Sequence, residues 1–444
     1  MSDGPAAAKN QNPSPDTETR YLTQPSCRIK PCDKVLFFPF IDGGVLFRPG
    51  TRRLWCLNLT SAVIWCLLDS AVSLEHLTKT YRKRFAVSEN TARLDVSRTV
   101  GSFLQAGLLA GGKITEPPGG TSLQPDRKPA SLDGACSGHP APLNGSVSIK
   151  NRASINAPAH RKTYRIGRHV IELVMEAPSS SDAQFLSAFV HLEVPESSDT
   201  PHTRIRIEPP GLSDNRRDIH VNGIRQFCRV PSDTLPNCLV PVFFQCATGS
   251  LKHKLLFHAA VVGNSRQVLM LPAGSAAGKT TLTALLLRRG YDFYSDELAV
   301  VDIKDRTVTP FPMPMSIKPG SLDIMASGYP ELKRAFFYRR PDGRQTAYVP
   351  PPKQTRLPSD ARAVIRAFIF PTFRKHNPTR LARISKPDAL NRLFMTVSSN
   401  RDLKAPDIST ILHLIERTPC FRLPFSDANK AADIIDSRFH GDTL

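Results

Sequence analysis

Apolar positions fall into two blocks of different rhythm, with a stretch lacking any rhythm between them. The first block opens on three short apolar segments, "VLFFPF" (35–40), "GVLFRP" (44–49) and "RLWCLN" (53–58). Asp42-Gly43 lies between the first two, the residue pair of a tight hairpin turn. Three helical patterns follow. The first is "LTSAVIWCLLD" (59–69); the second stands behind Ser73, with Leu74, Leu77, Tyr81 and Phe85 roughly on one face; the third stands behind Ser88, carries Leu94, Val100, Phe103 and Leu104, and stops at Gly107. Each serine is an N-cap residue, whose hydroxyl accepts from a first-turn amide, and a glycine past the last turn ends a helix at little conformational cost. This spacing predicts a small winged-helix-like α+β module over residues 28–111. Trp55 and Trp65 read as its core anchors.

Residues 112–160 are rich in Pro, Gly, Ser and Ala without apolar periodicity. Such a composition buries too little surface to offset ordering entropy, so the stretch reads as a flexible linker, and residues 1–27 as a disordered polar tail. A larger domain is expected over 161–440. Neither part carries a detectable repeat.

In the larger part, "LLFHAAVV" (255–262) and "RQVLML" (266–271) are two strand-like runs flanking Gly263-Asn264, a second hairpin signal. They lead into "AGSAAGKTT" and the helical pattern "TLTALLLRRG", read as amphipathic and closed by Gly290. Strand, small-residue loop, then helix is the order in which a phosphate-binding loop works. The small residues Ala273, Gly274, Ser275, Ala276, Ala277 and Gly278 let backbone N–H groups curl around phosphates, and the helix start adds its positive dipole end. Lys279 supplies a point charge for the β- and γ-phosphates; Thr280 offers a hydroxyl to Mg²⁺, with Thr281 beside it. The first glycine of G-x-x-x-x-G-K-[ST] is Ala273 here.

Phosphoryl transfer also needs a carboxylate near the metal and the attacking oxygen. Asp302, behind "LAVV", fits the pattern of an apolar run ending in Asp; Asp296, in "YDFYSDE", follows a less apolar strand. Geometry favours Asp296. A strand that follows the helix and runs parallel to the loop strand ends near residue 295, beside the loop, whereas Asp302 lies up to about 20 Å further along an extended chain. Asp296 is therefore the expected metal and catalytic carboxylate, with Glu297 as its neighbour.

Composition narrows the partners. The 444 residues are 40% hydrophobic, enough for two or three domains with ordinary cores. The net charge of +20 favours anionic partners (nucleotides, acidic peptides, nucleic acid or membrane surfaces) without choosing among them. Nine cysteines include no C-x-x-C pair, which argues for reduced thiols and against a zinc site. No apolar run reaches the roughly 20 residues of a membrane span, and the N-terminus lacks a secretory signal's apolar core. A cytoplasmic protein is expected.

Two resemblances follow from these residues. Leu57-Asn58, Trp65, Asp69, Asp95-Val96 and Gly107-Leu108-Leu109 match the pattern of the PqqD family across nearly the whole small module. That resemblance implies binding of a precursor peptide's leader as an added strand along the sheet edge beside the last helix, the physics of β-augmentation. The larger part is similar to HPr kinase and its relatives. His258, the Ala273–Thr280 loop and the Asp296-Glu297 step occupy the places of that family's strand histidine, G-x-S-G-x-G-K-S loop and paired acids, with Ala at two loop glycines and Glu for the second acid. "MPMSIKPGS" places Lys318 in a step similar to the relatives' S-[IL]-K. The resemblance implies an α/β P-loop kinase fold of the HPr kinase and phosphoenolpyruvate carboxykinase type. It also implies ATP and Mg²⁺ as cofactors, His258 and Glu297 beside the catalytic carboxylate, Lys318 on a phosphate, and a homo-oligomer.

Three readings stand at this point. One is a kinase that phosphorylates a Ser or Thr of a precursor peptide or small acceptor protein presented by the PqqD-like module, where tethering raises the effective substrate concentration. Another is a small-molecule kinase or carboxykinase-like enzyme with a partner-docking module. The last is a nucleotide-gated adaptor for nucleic acid. Against that adaptor, the module's third helix holds only Arg93 and Arg98 as cations and lacks a base-reading edge; a membrane partner has no feature to support it.

Overall fold

The computed structural model describes residues 28–110 and 159–439, apart from 41–42, 50–52, 69–71, 196–199, 212–214, 252, 327, 330–331, 333–336, 340–343 and 399–400. The tail expected at 1–27, nearly all of the linker expected at 112–160, and Asp69 of the PqqD pattern lie outside the described residues. Contacts divide the chain into two compact units, Met1–Gln124 with Asp402–Ala405, and Pro125–Arg401 with Pro406–Leu444.

The first unit contains β1 (Arg28–Pro31), β2 (Leu36–Phe40), β3 (Gly43–Arg48), β4 (Arg53–Asn58), α1 (Leu59–Leu67), β5 (Val72–Ser73), α2 (Leu74–Phe85), α3 (Glu89–Gln105) and β6 (Leu109–Ala110). Strands β2, β3 and β4 form an antiparallel sheet in that order, with β4 at its edge and Val45 opposite Cys56. Gly43, at φ +150°, admits no side chain, because a Cβ there would fall 1.9 Å from the Leu57 carbonyl oxygen. The expected caps are in place: the Ser73 hydroxyl accepts from His76 N and the Ser88 hydroxyl from Thr91 N. The core gathers Leu46, Ile64, Leu77, Val96 and Phe103. Trp65 is buried and meets Phe103 edge-on at 5.3 Å; burial of a large apolar side chain of this kind contributes about 1.5–3 kcal/mol. Trp55 departs from the reading as a core anchor: it is only partly buried. The chain's pattern also did not announce a second sheet, in which β1 pairs with β5 on one side and β6 on the other.

The second unit begins with β7 (His160–Ile166), β8 (His169–Met175), α4 (Ser180–Ser187), β9 (Glu193–Val194), β10 (Thr203–Ile207), β11 (Arg216–Val221) and β12 (Ile224–Pro231). These strands make a sheet in the order β12-β11-β10-β8-β7-β9, and α5 (Leu235–Gly249) shares its core through Leu235, Leu239 and Phe243. β7 starts inside the expected linker by one residue.

The remainder comprises β13 (Lys254–Gly263), β14 (Gln267–Pro272), α6 (Lys279–Leu287), β15 (Asp292–Ser295), β16 (Leu298–Asp302), β17 (Thr307–Thr309), β18 (Met315–Ile317), α7 (Leu322–Met325), β19 (Tyr338–Arg339), β20 (Gln345–Val349), β21 (Ala363–Phe373), β22 (Ala382–Arg383), α8 (Lys386–Phe394), α9 (Ala405–Arg417), β23 (Cys420–Phe425) and α10 (Ala428–Phe439). Five strands close a circuit. β13 pairs with β14 and β16, β16 with β17, β17 with β21, and β21 back with β14. β14, β21 and β23 run parallel. α6 is not the amphipathic helix its sequence suggested: Thr281 through Leu287 are all buried, so it is apolar on every side that its neighbours cover. Those neighbours include α10, through Ala428, Ala431 and Ile435 of the same core. The mixed α/β architecture is as expected for the class. Among the described residues no helix is long and apolar enough to cross a membrane.

Candidate functional site

Two places gather chemistry, one in each unit. In the first, β4 has β3 on one side only, so its other edge carries backbone N–H and C=O groups turned away from the sheet. Between that edge and α3 lies a groove of about 380 Å³, lined by Trp55 and Leu57 from β4, Thr60 from α1, and Arg98, Ser102 and Phe103 from α3. The partly exposed Trp55 therefore has a place in the groove wall. Asp95, also on that wall, accepts from the Tyr81 hydroxyl at 3.2 Å.

The second place is the turn between β14 and α6. β14 and β15 both run antiparallel to β13, which lies between them, so they point the same way, as the geometric argument for Asp296 requires. β15 and β16 together track β13 along its length and part at Asp296-Glu297. The parting lies level with the end of β14, since Ala259 of β13 faces Pro272. The break in the ladder and the small-residue loop thus flank one strand.

The loop backbone is shaped for tight curvature. Gly278, the first residue before α6, has φ +89°, and a Cβ on it would come within 2.5 Å of the Phe425 ring. Ala276 adopts φ +66°, the left-handed region that a glycine fills freely and that costs an alanine roughly 1 kcal/mol or more. Gly274, Ser275 and Ala276 are exposed, whereas Lys279 is 6% exposed. Its ammonium donates to the carbonyls of Ala273 at 2.9 Å and Gly274 at 3.1 Å and stands 3.1 Å from His258 Nε2. Burial lowers its pKa, Glu297 and Asp296 oppose that fall, and Lys318 adds to it.

Thr280 and Asp296 meet: the hydroxyl donates to Asp296 Oδ2 at 2.9 Å, and Ser316 N approaches the same oxygen at 3.4 Å. The other oxygen, Oδ1, is buried without a hydrogen-bond partner, in a residue only 3% exposed. A buried carboxylate oxygen without a donor is costly, and a divalent cation is the kind of ligand that satisfies it. Burial, with help from the neighbouring Glu297, raises the Asp296 carboxyl to about 6 against the contrary pull of Thr280, Lys279 and Ser316. Glu297 turns the other way, 53% exposed, with Oε1 at 3.2 Å from His258 Nε2. The surrounding protein raises its carboxyl, but His258, Lys279 and Lys318 outweigh that and hold it well below the usual range. One nitrogen of His258 thus faces a cation and an anion, and it serves only one at a time. Without a proton it accepts from Lys279; with one it donates to Glu297.

Lys318 reaches the loop as well, donating to Ser275 Oγ at 3.1 Å, and Thr281 exchanges a hydrogen bond with Ser321 at 2.8 Å. The structure therefore brings together all the residues singled out around the loop. Asp302 is elsewhere: it ends β16, pairs with Lys254, and accepts from Lys304 N in the following turn. The sequence reading missed the Ser316 amide and the Phe425 ring under Gly278; neither belongs to a local motif. A separate trio, Glu208, Asp218 and His220, has ligand atoms within 4.8 Å of one another, but Asp218 is already taken by Arg225 and the Arg229 amide.

The raised Asp296 carboxyl carries a stability consequence. The folded chain holds this proton more tightly than an unfolded one, so the ionised group costs stability above about pH 6 and costs nothing once both states are protonated. In metal-free protein, Asp296→Asn is expected to stabilise the second unit by about 2–3 kcal/mol at pH 7.5, with the gain fading between pH 6 and 4. Urea unfolding across that range measures it; a gain independent of pH contradicts it.

Comparisons with known proteins concern the first unit. Residues 43–109 match the family model described as coenzyme PQQ synthesis protein D (PqqD), so the chain carries a PqqD-like domain there. Every groove residue named above falls within that match. A solved structure described as "TbiB1 in Complex with the TbiA(beta) Leader Peptide" is 22% identical; the match covers 19% of this chain and 99% of that one, with a TM-score of 0.18. None of the curated proteins compared with this chain matches it.

Proposed function

We propose that this protein is an ATP-dependent kinase that phosphorylates a Ser or Thr of a ribosomally made precursor peptide or small acceptor protein, recruited through its PqqD-like module. One juxtaposition carries the kinase part: the Thr280 hydroxyl on a buried Asp296 whose second oxygen has no partner, beside a buried lysine at a helix start. An ordinary strand–helix turn has no use for an unpartnered carboxylate oxygen and a buried ammonium in contact range. The peptide part rests on the groove beside the free β4 edge, inside the PqqD-like domain.

When bound, Mg²⁺ and ATP supply the transferable phosphoryl group and neutralise its charge, with Thr280 and Asp296 as the residues to hold the cation. The loop amides and the start of α6 take the phosphates. Lys279 and Lys318 lie against the loop and face the same charge. Asp296, with a carboxyl near 6, is matched to accept the hydroxyl proton at neutral pH. Glu297 and His258 form the pair that orients it. In the first unit, the leader adds main-chain hydrogen bonds to β4, and Trp55 and Phe103 offer apolar contacts for its side chains.

The assay is transfer of labelled phosphate from ATP to a peptide encoded by a short reading frame beside the gene, with the full chain and Mg²⁺. Absence of transfer to any such peptide or to a small protein acceptor overturns the reading. Ser102 is exposed on α3 and lines the groove, so Ser102→Trp fills the groove without entering the core. It is expected to weaken peptide binding about tenfold or more, read by fluorescence polarisation, and to leave ATP binding unchanged. Unaltered peptide affinity places the peptide elsewhere.

A further inference from the structure

The carboxyl ends of β14, β21 and β23 point the same way, and in open parallel sheets ligands bind in the crevice outside those ends. β14 ends in the 273–278 loop. β21 ends in Phe373, which is 42% exposed although the rest of that strand's second half is buried or nearly so. The Phe373 ring meets Phe425, the last residue of β23, edge-on at 5.5 Å. Phe425 is 1% exposed and is the ring against which Gly278 is packed. A chain of two contacts therefore runs from the residue that opens α6 to an aromatic face open to solvent. It lies on the β21–β23 side of β14, whereas Asp296 lies on the β13 side.

The loop after Phe373 is held in place by main-chain bonds rather than left to drift. Arg374 N donates to Phe425 O at 3.0 Å and Arg380 N to Pro424 O at 3.2 Å, while the Ser426 hydroxyl donates to Asn377 O at 2.9 Å. Its side chains Arg374, Lys375 and Arg380 are exposed, giving the aromatic face a basic rim. An exposed phenyl ring ordinarily costs solvation free energy. A ring fixed from below by Phe425 and rimmed by cations suits a flat, electron-rich base attached to an anion.

We propose that Phe373 is the platform on which the base of a bound nucleoside di- or triphosphate stacks, its phosphates lying on the 273–278 loop and its nucleoside crossing Gly278 and Phe425. This rests on the nucleotide reading of the loop, whose independent sign is the unpartnered Asp296 Oδ1. The division of labour is spatial: metal and transfer chemistry on the β13 side, base recognition on the β21–β23 side.

Calorimetry on the full chain with Mg²⁺ and two probes, ADP and inorganic tripolyphosphate, separates the two claims. Phe373→Ala is expected to weaken ADP binding by about tenfold or more, the scale of one lost base–aromatic stack, and to leave tripolyphosphate binding within about twofold. Phe373→Trp keeps ADP affinity. Retained tripolyphosphate binding also shows that each variant is folded at the loop. Unchanged ADP affinity in Phe373→Ala, equal weakening of both probes, or wild-type protein that binds tripolyphosphate as tightly as ADP each overturns the platform alone. Wild-type protein that binds neither probe overturns the loop reading, and the platform with it.

Discussion

Lys279→Ala is expected to weaken binding of ATP·Mg²⁺ by at least about a hundredfold, to below detection in ordinary calorimetry. Charge-assisted hydrogen bonds contribute about 1.5–3 kcal/mol each, and Lys279 is the buried cation at the loop, already within hydrogen-bond range of Ala273 and Gly274. Binding has to draw its ammonium off those carbonyls, and the exchange of neutral acceptors for phosphate oxygens favours the bound state. The substitution leaves the two carbonyls at an exposed turn, where water replaces the lost donor, so the fold should persist and circular dichroism should be unchanged. Equal ATP affinity in wild type and a folded mutant contradicts the phosphate-loop assignment.

The second large effect concerns the two acids between which the sequence had to choose. Asp296→Asn is expected to lower phosphate incorporation into the peptide by at least ~10²-fold, the scale of lost acid–base help, and to leave ATP binding within a few-fold. Asn still accepts the Thr280 hydrogen bond, so the substitution removes charge and basicity without dismantling the contact. Asp302→Asn is expected to change the rate by less than about tenfold, as a surface-turn substitution should, because Asp302 faces Lys254 at the far end of β16. The reverse order, an inactive Asp302→Asn beside an active Asp296→Asn, defeats the geometric argument. Since Asp296→Asn is also expected to stabilise the unit, the same change should raise stability and remove activity, a combination typical of a functional group kept against the fold's preference.

What was legible in the sequence was local. Ser73 and Ser88 announce helix starts because a cap is a contact over three residues. The loop and its lysine are legible because they form one turn, and Asp296 because the strand leading to it is short enough to fix where it ends. Contacts between distant segments were not legible. β1 contributes residue pairs to β5 and β6, but strands of two residues have no period to detect. α6 reads as amphipathic, yet α10 and β23, more than a hundred residues on, bury its far side. Trp55 and Trp65 look alike in the chain; only the position of β4 at the sheet edge makes one a core residue and the other a groove wall. Nothing near Phe373 in the sequence points to Gly278, since the link between them passes through Phe425.

The closed circuit of β13, β14, β21, β17 and β16 acts mechanically as a hoop. In an open sheet an edge strand can slide by two residues and keep its facing pattern; in a hoop such a slide breaks pairing at both neighbours of every strand that moves. The gap between the end of β14 and the Asp296-Glu297 break is therefore set by the whole ring rather than by the turn that spans it. That stiffness allows Ala276 to be held at φ +66° without the loop relaxing away from Thr280 and Asp296. The loop can vary its small residues because the distances that matter are kept by the hoop behind it.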